Sequence, residues 1–309
     1  MKNLIALFLS LVISTAAIAQ VEKRVHKSFE SVNFTDLKII NSFGDIEVTP
    51  QKSSKIDVEI VLTADSKSDK KVQEYLDNTE FIFVENGNTL EISTAKSDKN
   101  FKSTGKMSYS LKFTLKVPEN LNVDIKNSFG DVRINGTTGL LKLKIQHGDC
   151  FIAYANGSDN DLKISFGDVR IESINKSHIV IQHGDLKIID AHDLNLDSQF
   201  GDINIDMLSG DNKFKIAHGD LEVYDVLNNF SSLKIDMQFG DIAIVGFSKH
   251  RVDMDLSGTF TKYAFDKNWN LGESTKGIND VHYHVKSSSG TGSIKNLKIT
   301  ASHSNVKLK

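Results

Sequence analysis

A Gly-Asp pair preceded by Phe or His recurs eight times in this chain, with its glycines at Gly44, Gly130, Gly148, Gly167, Gly184, Gly201, Gly219 and Gly240. From Gly130 onward the spacings are 18, 19, 17, 17, 18 and 21 residues. Composition alone gives about two Gly-Asp pairs in a chain like this, whereas nine are present, the ninth at Gly210-Asp211 outside the motif. A fixed period of this length is the mark of stacked structural units, each too small to bury its own apolar face.

Around each motif the hydropathy has period two. Leu141, Leu143 and Ile145 alternate with Lys142, Lys144 and Gln146, and Val169 and Ile171 flank Arg170. Such alternation predicts half-buried strands. The aromatic residue keeps the inward parity of the strand before it, and the strand after the pair is shifted by one. A bend at Gly explains the shift, since Gly adopts conformations closed to other residues. Asp is expected to bond its own neighbouring backbone N–H groups. The corner residues so defined are Phe43, Gly44, Asp45; Phe129, Gly130, Asp131; His147, Gly148, Asp149; Phe166, Gly167, Asp168; His183, Gly184, Asp185; Phe200, Gly201, Asp202; His218, Gly219, Asp220; and Phe239, Gly240, Asp241.

The expectation is an all-β parallel solenoid, or β-helix. Only 2 prolines occur against 20 glycines, as suits strands whose N–H groups are all needed for ladders. From Phe129 to Phe239 the residue before Gly alternates strictly between Phe and His, and IQHGD occurs at 145–149 and 181–185. The sequence unit is therefore a double repeat of 36 residues. A coil of ~18 residues is preferred over one of ~36, because its five or six inward side chains fill a two-sheet core ~10 Å thick.

Residues 1–19 read as a signal peptide: Lys2, an apolar run from Leu4 to Ile13, and Ala17-Ile18-Ala19 before Gln20. Residues 20–309 then form a single solenoid domain, exported to the periplasm, the outer-membrane surface or the extracellular space. The apolar run is too short for a membrane span, and no later segment approaches one. A net charge of −3 argues against a nucleic-acid partner. The one cysteine, Cys150, permits no internal disulfide and is expected to be buried and inert.

Two stretches lack the motif. Residues 50–120 read as an insertion with a strand over 55–62, a short exposed helix within 65–78, and a hairpin about Asn86-Gly87-Asn88. Pro50 and Pro118 are expected to lie outside the regular array. Residues 246–289 carry an aromatic cluster, Phe260, Tyr263, Phe265 and Trp269. It reads as a plug over the open end of the stack or as a patch for a glycan or protein partner. The tail, with Ile294, Leu297 and Ile299, resembles further degenerate coils.

Little in the sequence points to catalysis, a cofactor or a metal. Catalysis needs one unusual carboxylate pair, and here every coil carries the same Asp, which favours a turn role. One Asp and one Gly per corner supply too few oxygens for calcium. His147, His183 and His218 have no second ligand type beside them, and His282 and His284, two apart on one side of a possible strand, give a weak hint of a metal. No G-x-S-x-G, H-E-x-x-H or Walker-type loop occurs.

The signal peptide ending AIAQ (17–20), the repeated S-F-G-D-hydrophobic motif (42–46, 128–132, 165–169) and the strand-Pro step at 117–121 resemble the secreted, adhesin-like β-strand-repeat proteins of Bacteroidetes, related to the auto-transporter adhesin head-GIN-domain family. The resemblance implies a right-handed parallel β-helix and an exported location. The reading is a non-enzymatic structural or adhesin-like surface module, with Lys142, Lys144, Lys163, Arg170, Lys187 and Lys234 on a flat working face. A polysaccharide lyase or hydrolase with its groove in 246–289, and a periplasmic scaffold for a protein partner, are the alternatives.

Overall fold

Parallel pairing at one repeat's distance dominates the architecture. Leu141–His147 lies between Asn122–Phe129 and Asn160–Phe166, with Leu143 opposite Ile125 and Leu162. After the corner, Cys150–Ala155 lies between Val132–Ile134 and Val169–His183. Each coil thus contributes a strand before the Gly-Asp pair and one after it, and their inward residues, such as Ile145 and Ile152, join one continuous core. The structure is a computed structural model and describes residues 21–96, 107–265, 274–276, 279–286 and 291–309. The segment read as a signal peptide lies outside these residues. No helix among the described residues is long and apolar enough to cross a membrane.

From Val169 the strands lengthen, through Leu186–Phe200 and Ile203–Ala217 to Leu221–Gln238, because the turn opposite the Gly corner also pairs between coils. Ile174, Ala191, Leu208 and Val226 are buried in that turn. There Asn160, 1% exposed, accepts the Leu141 N–H at 3.0 Å and donates to the carbonyls of Ala155, Gly157 and Asn175. One amide therefore ties three successive coils. Asn212 repeats the arrangement with the Leu194 N–H and the carbonyls of Ser209, Gly210 and Ser232. The ninth Gly-Asp pair lies at this second corner, where the Asp211 N–H donates to Asp193.

The stretch between the first two motifs, whose glycines lie 86 residues apart, is an excursion between coils that touch. Asp36–Phe43 pairs in register with Asn122–Phe129, and Ile46 lies opposite Val132. Lys55–Asp65 runs antiparallel between Val21–Glu30 and Ser108–Pro118, while Thr79–Asn86 and Thr89–Lys96 form the hairpin. The helix Asp69–Asn78 is not simply exposed, since it buries Val72, Tyr75 and Leu76. Nor do the prolines stand apart from the strands: Pro50 and Pro118 end two paired strands, where a missing N–H is tolerated.

At the other end the chain order and the spatial order part. Thr291–Ser302 pairs in parallel with Leu221–Gln238 on one side and His250–Thr259 on the other. Asn305–Leu308 is likewise held between Ile242–Ile244 and Lys262–Phe265. The tail is thus a coil inserted beneath the one made by 250–265 rather than added after it. An antiparallel strand, Asp280–Lys286, covers the outer edge of His250–Thr259.

Candidate functional site

The strand-to-strand corner shows why Gly is required. At Gly184 φ is +147°, and an added Cβ would sit 2.1 Å from the Gly167 carbonyl oxygen of the preceding coil. Backbone therefore packs on backbone at this point, in a conformation that L-residues avoid. Corner N–H groups donate along the stack, for example Gly148 to the Phe166 carbonyl at 3.0 Å.

The Asp residues do not bond their own turn. Each carboxylate Oδ1 accepts the N–H of the Asp in the next coil, at 2.8–2.9 Å, from Asp131 N–H on Asp45 through to Asp241 N–H on Asp220. Asp241 then accepts from the Asn305 N–H of the inserted tail at 2.9 Å. The expectation of a local Asp turn fails because the Gly bend aims the N–H along the stack instead of back across the corner. With one oxygen of each carboxylate already engaged, the melting temperature is expected to be unmoved by EDTA or millimolar calcium. A calcium-dependent rise would show that the ladder coordinates the ion.

The Phe and His residues point outward, contrary to their parity. Phe43, Phe129, Phe166, Phe200 and Phe239 are 44–48% exposed. The bend begins one residue before the aromatic, so that Gln146 and His147 are both exposed although they are neighbours. The rings form a stacked external rib. From Phe43 through Phe129, His147, Phe166, His183, Phe200 and His218 to Phe239, centroids lie 4.8–5.0 Å apart and planes tilt by at most 9°. His303 and Phe260 continue it, so the alternation survives the break in chain order. Tyr109 closes the first end edge-on against Phe43.

Of the aromatic cluster expected over 260–269, only part comes together. Phe260 ends the rib, whereas Tyr263 and Phe265 pack with Tyr283 against the core. Trp269 lies outside the described residues. His303 belongs to the rib but was missed, since Ser304 and Asn305 replace the Gly-Asp that would have marked it.

Beside the rib, on the face after the corner, runs an open groove of about 630 Å³. One wall is the Asp ladder from Asp45 to Asp185. The other is a single register column of Glu47, Arg133, Phe151, Arg170, Lys187 and Asn204. The Arg133 guanidinium lies 4.3 Å from the Phe151 ring centroid. Lys112, 2.9 Å from Glu47, holds that carboxyl below the usual carboxylate range. Lys187 pairs with Asp206.

The six cations expected on one flat face are divided. Arg170 and Lys187 line the groove, while Lys142, Lys144, Lys163 and Lys234 belong to the strands before the corner and do not line it. Cys150 is buried, and burial together with Asp149 and Asp131 pushes its thiol up to about 12. His147, His183 and His218 are separated from one another by a Phe ring. His282 bonds Asp255 at 2.6 Å, and with Lys298 it holds that carboxyl below its usual range. His284 faces Asp253 at 3.6 Å. Among the described residues no group of three or more His, Cys, Asp or Glu side chains is placed to hold a metal.

Comparison with solved structures returns chains similar along most of their length. A candidate lipid-binding protein from Parabacteroides distasonis is 12% identical, with 93% of this chain and 96% of that one covered and a TM-score of 0.47. A candidate adhesin from Parabacteroides merdae is 10% identical, with 93% and 96% covered and a TM-score of 0.43. A candidate adhesin from Bacteroides fragilis is 15% identical, with 93% and 97% covered and a TM-score of 0.37. No curated protein matches the sequence. The profile of the Toastrack DUF4097 family matches residues 34–207, more than half of the chain, and the chain therefore belongs to that family.

Proposed function

We propose that residues 20–309 form one exported, non-enzymatic β-solenoid, right-handed and built of ~18-residue coils, that serves as an adhesive or structural module at the cell surface. The observation that carries this reading is the rib: ten stacked rings, about 45 Å long at one coil per ring. Folding alone would place Phe inside. A stack contributes only about 0.5–1.5 kcal/mol per pair beyond its buried area, and it leaves nearly half of each Phe in water. Continuous exposed apolar surface marks a place where something else binds. In this reading the corner residues are both the joints of the stack and its contact surface. A surface repeated in every coil suits an extended partner better than a small substrate.

The test is attachment of the protein, immobilised on beads, to intact bacterial cells and to their extracted surface polysaccharide. Replacing Phe166 and Phe200 together by Ser is expected to lower attachment at least tenfold, while the folded protein is retained at 25 °C. Unchanged attachment of the double variant removes the rib from the function. Depolymerisation of the polysaccharide by the unaltered protein overturns the non-enzymatic reading.

A further inference from the structure

We propose that the groove beside the Asp ladder is a binding site for a neutral, β-linked polysaccharide chain lying along the stacking direction. The inference rests on the adhesive reading and names the ligand class for one part of the corner surface.

Charge sets the class first. Six carboxylates and four cations line the groove, so its net charge is negative and a polyanion is repelled as a whole. That disfavours nucleic acid, acidic glycans and anionic lipid headgroups alike. An uncharged ligand meets no such barrier.

Hydrogen-bonding capacity narrows it further. The ladder uses only one oxygen of each carboxylate, and the second oxygen remains an acceptor. Across from it, Arg133, Arg170 and Lys187 supply donors and Asn204 supplies both kinds. Sugar hydroxyls donate and accept at once, so a ring held between the two columns satisfies both walls.

Spacing decides between a glycan and a peptide. The Asp wall of the groove repeats at every coil, ~4.8 Å apart. In an extended β-1,4-linked hexose chain alternate rings are flipped, so the same ring edge returns every second ring, close to two coil steps of ~9.6 Å. An extended peptide advances ~3.4 Å per residue and returns to the same face every second residue, ~6.8 Å on, out of step with the coils. The column from Glu47 to Asn204 spans six register positions, room for about five rings at one ring per coil step. Individually weak contacts then add along one rigid frame.

The experiment is titration calorimetry of the chain from Gln20 to Lys309 with cello- and manno-oligosaccharides of two to six units, against oligogalacturonate of the same lengths. Affinity for at least one neutral series is expected to rise with length up to five or six units and to exceed that for oligogalacturonate. Replacing Arg133 and Arg170 together by Ala is expected to weaken it at least tenfold with the melting temperature retained. Absence of neutral-glycan binding, binding without length dependence, stronger binding of oligogalacturonate, or an unaffected double variant each overturns the proposal. If cells are still bound through the rib while neutral oligosaccharides are not, the groove assignment alone fails. If the Phe166 and Phe200 variant keeps its attachment while the Arg133 and Arg170 variant loses sugar, the groove assignment stands and the rib is excluded.

Discussion

Substituting Gly184 by alanine is expected to destabilise the protein by more than about 4 kcal/mol, beyond the range of most point mutations. Two effects add. A φ of +147° costs an L-residue about 1–3 kcal/mol of backbone strain. The methyl carbon would also lie 2.1 Å from the Gly167 carbonyl, so the two coils must separate. Separation strains the Gly167 N–H bond to the His183 carbonyl and the Asp185 N–H bond to Asp168. Glu172→Ala, exposed on the same coil, is the control and should stay within about 0.5 kcal/mol. Chemical unfolding followed by circular dichroism measures both. A Gly184→Ala variant as stable as the control would show that the corner can open without cost, and hydrogen exchange should place the damage in the coils on either side.

The second large effect is expected at Asn160. Its amide serves the Leu141 N–H and three carbonyls while almost fully buried. Each buried polar group left without a partner costs about 1–3 kcal/mol, so Asn160→Ala should lose about 3 kcal/mol or more. Asn160→Asp keeps the acceptor for Leu141 but cannot donate to the carbonyls, and is expected to be no better. Asn212 does the same work three coils away, too far to share partners. The losses of the two single variants should therefore add within about 0.5 kcal/mol in the double variant. A double variant no worse than the singles would mean that the coils unfold by neighbouring units rather than as one block.

Much of the fold was readable because its determinants are local and repeated. Period-two patterning set which faces of Leu141–His147 and Cys150–Ala155 are buried, and the Gly-Asp pair marked where the chain bends. The direction of the aromatic residues was not readable. Parity assumes a straight strand up to the glycine, whereas the bend at Gln146 turns two consecutive residues outward. Nothing in the residues next to it distinguishes Asn160 from an ordinary polar loop residue. Its signal was positional, since Asn160 and Asn212 each precede their corner glycine by seven residues. The inserted tail left no local trace, because what places Thr291–Ser302 between two earlier coils is a pairing of distant strands. The groove is a product of column formation: Arg133, Phe151 and Arg170 are 18 and 19 residues apart in sequence and meet only when the coils align.

Alternation from Phe129 to Phe260, beyond the single Phe-on-Phe step at Phe43, also constrains how the molecule can change length. Duplicating one coil would set Phe against Phe or His against His, while duplicating two would leave every ring beside the neighbour it already has. Growth in pairs therefore preserves each existing contact, from glycine seat to carboxylate rung, and extends the structure by ~9.6 Å per pair. The protein has the properties of a molecular ruler whose divisions are genetic duplications, with its reach adjustable while its chemistry stays fixed.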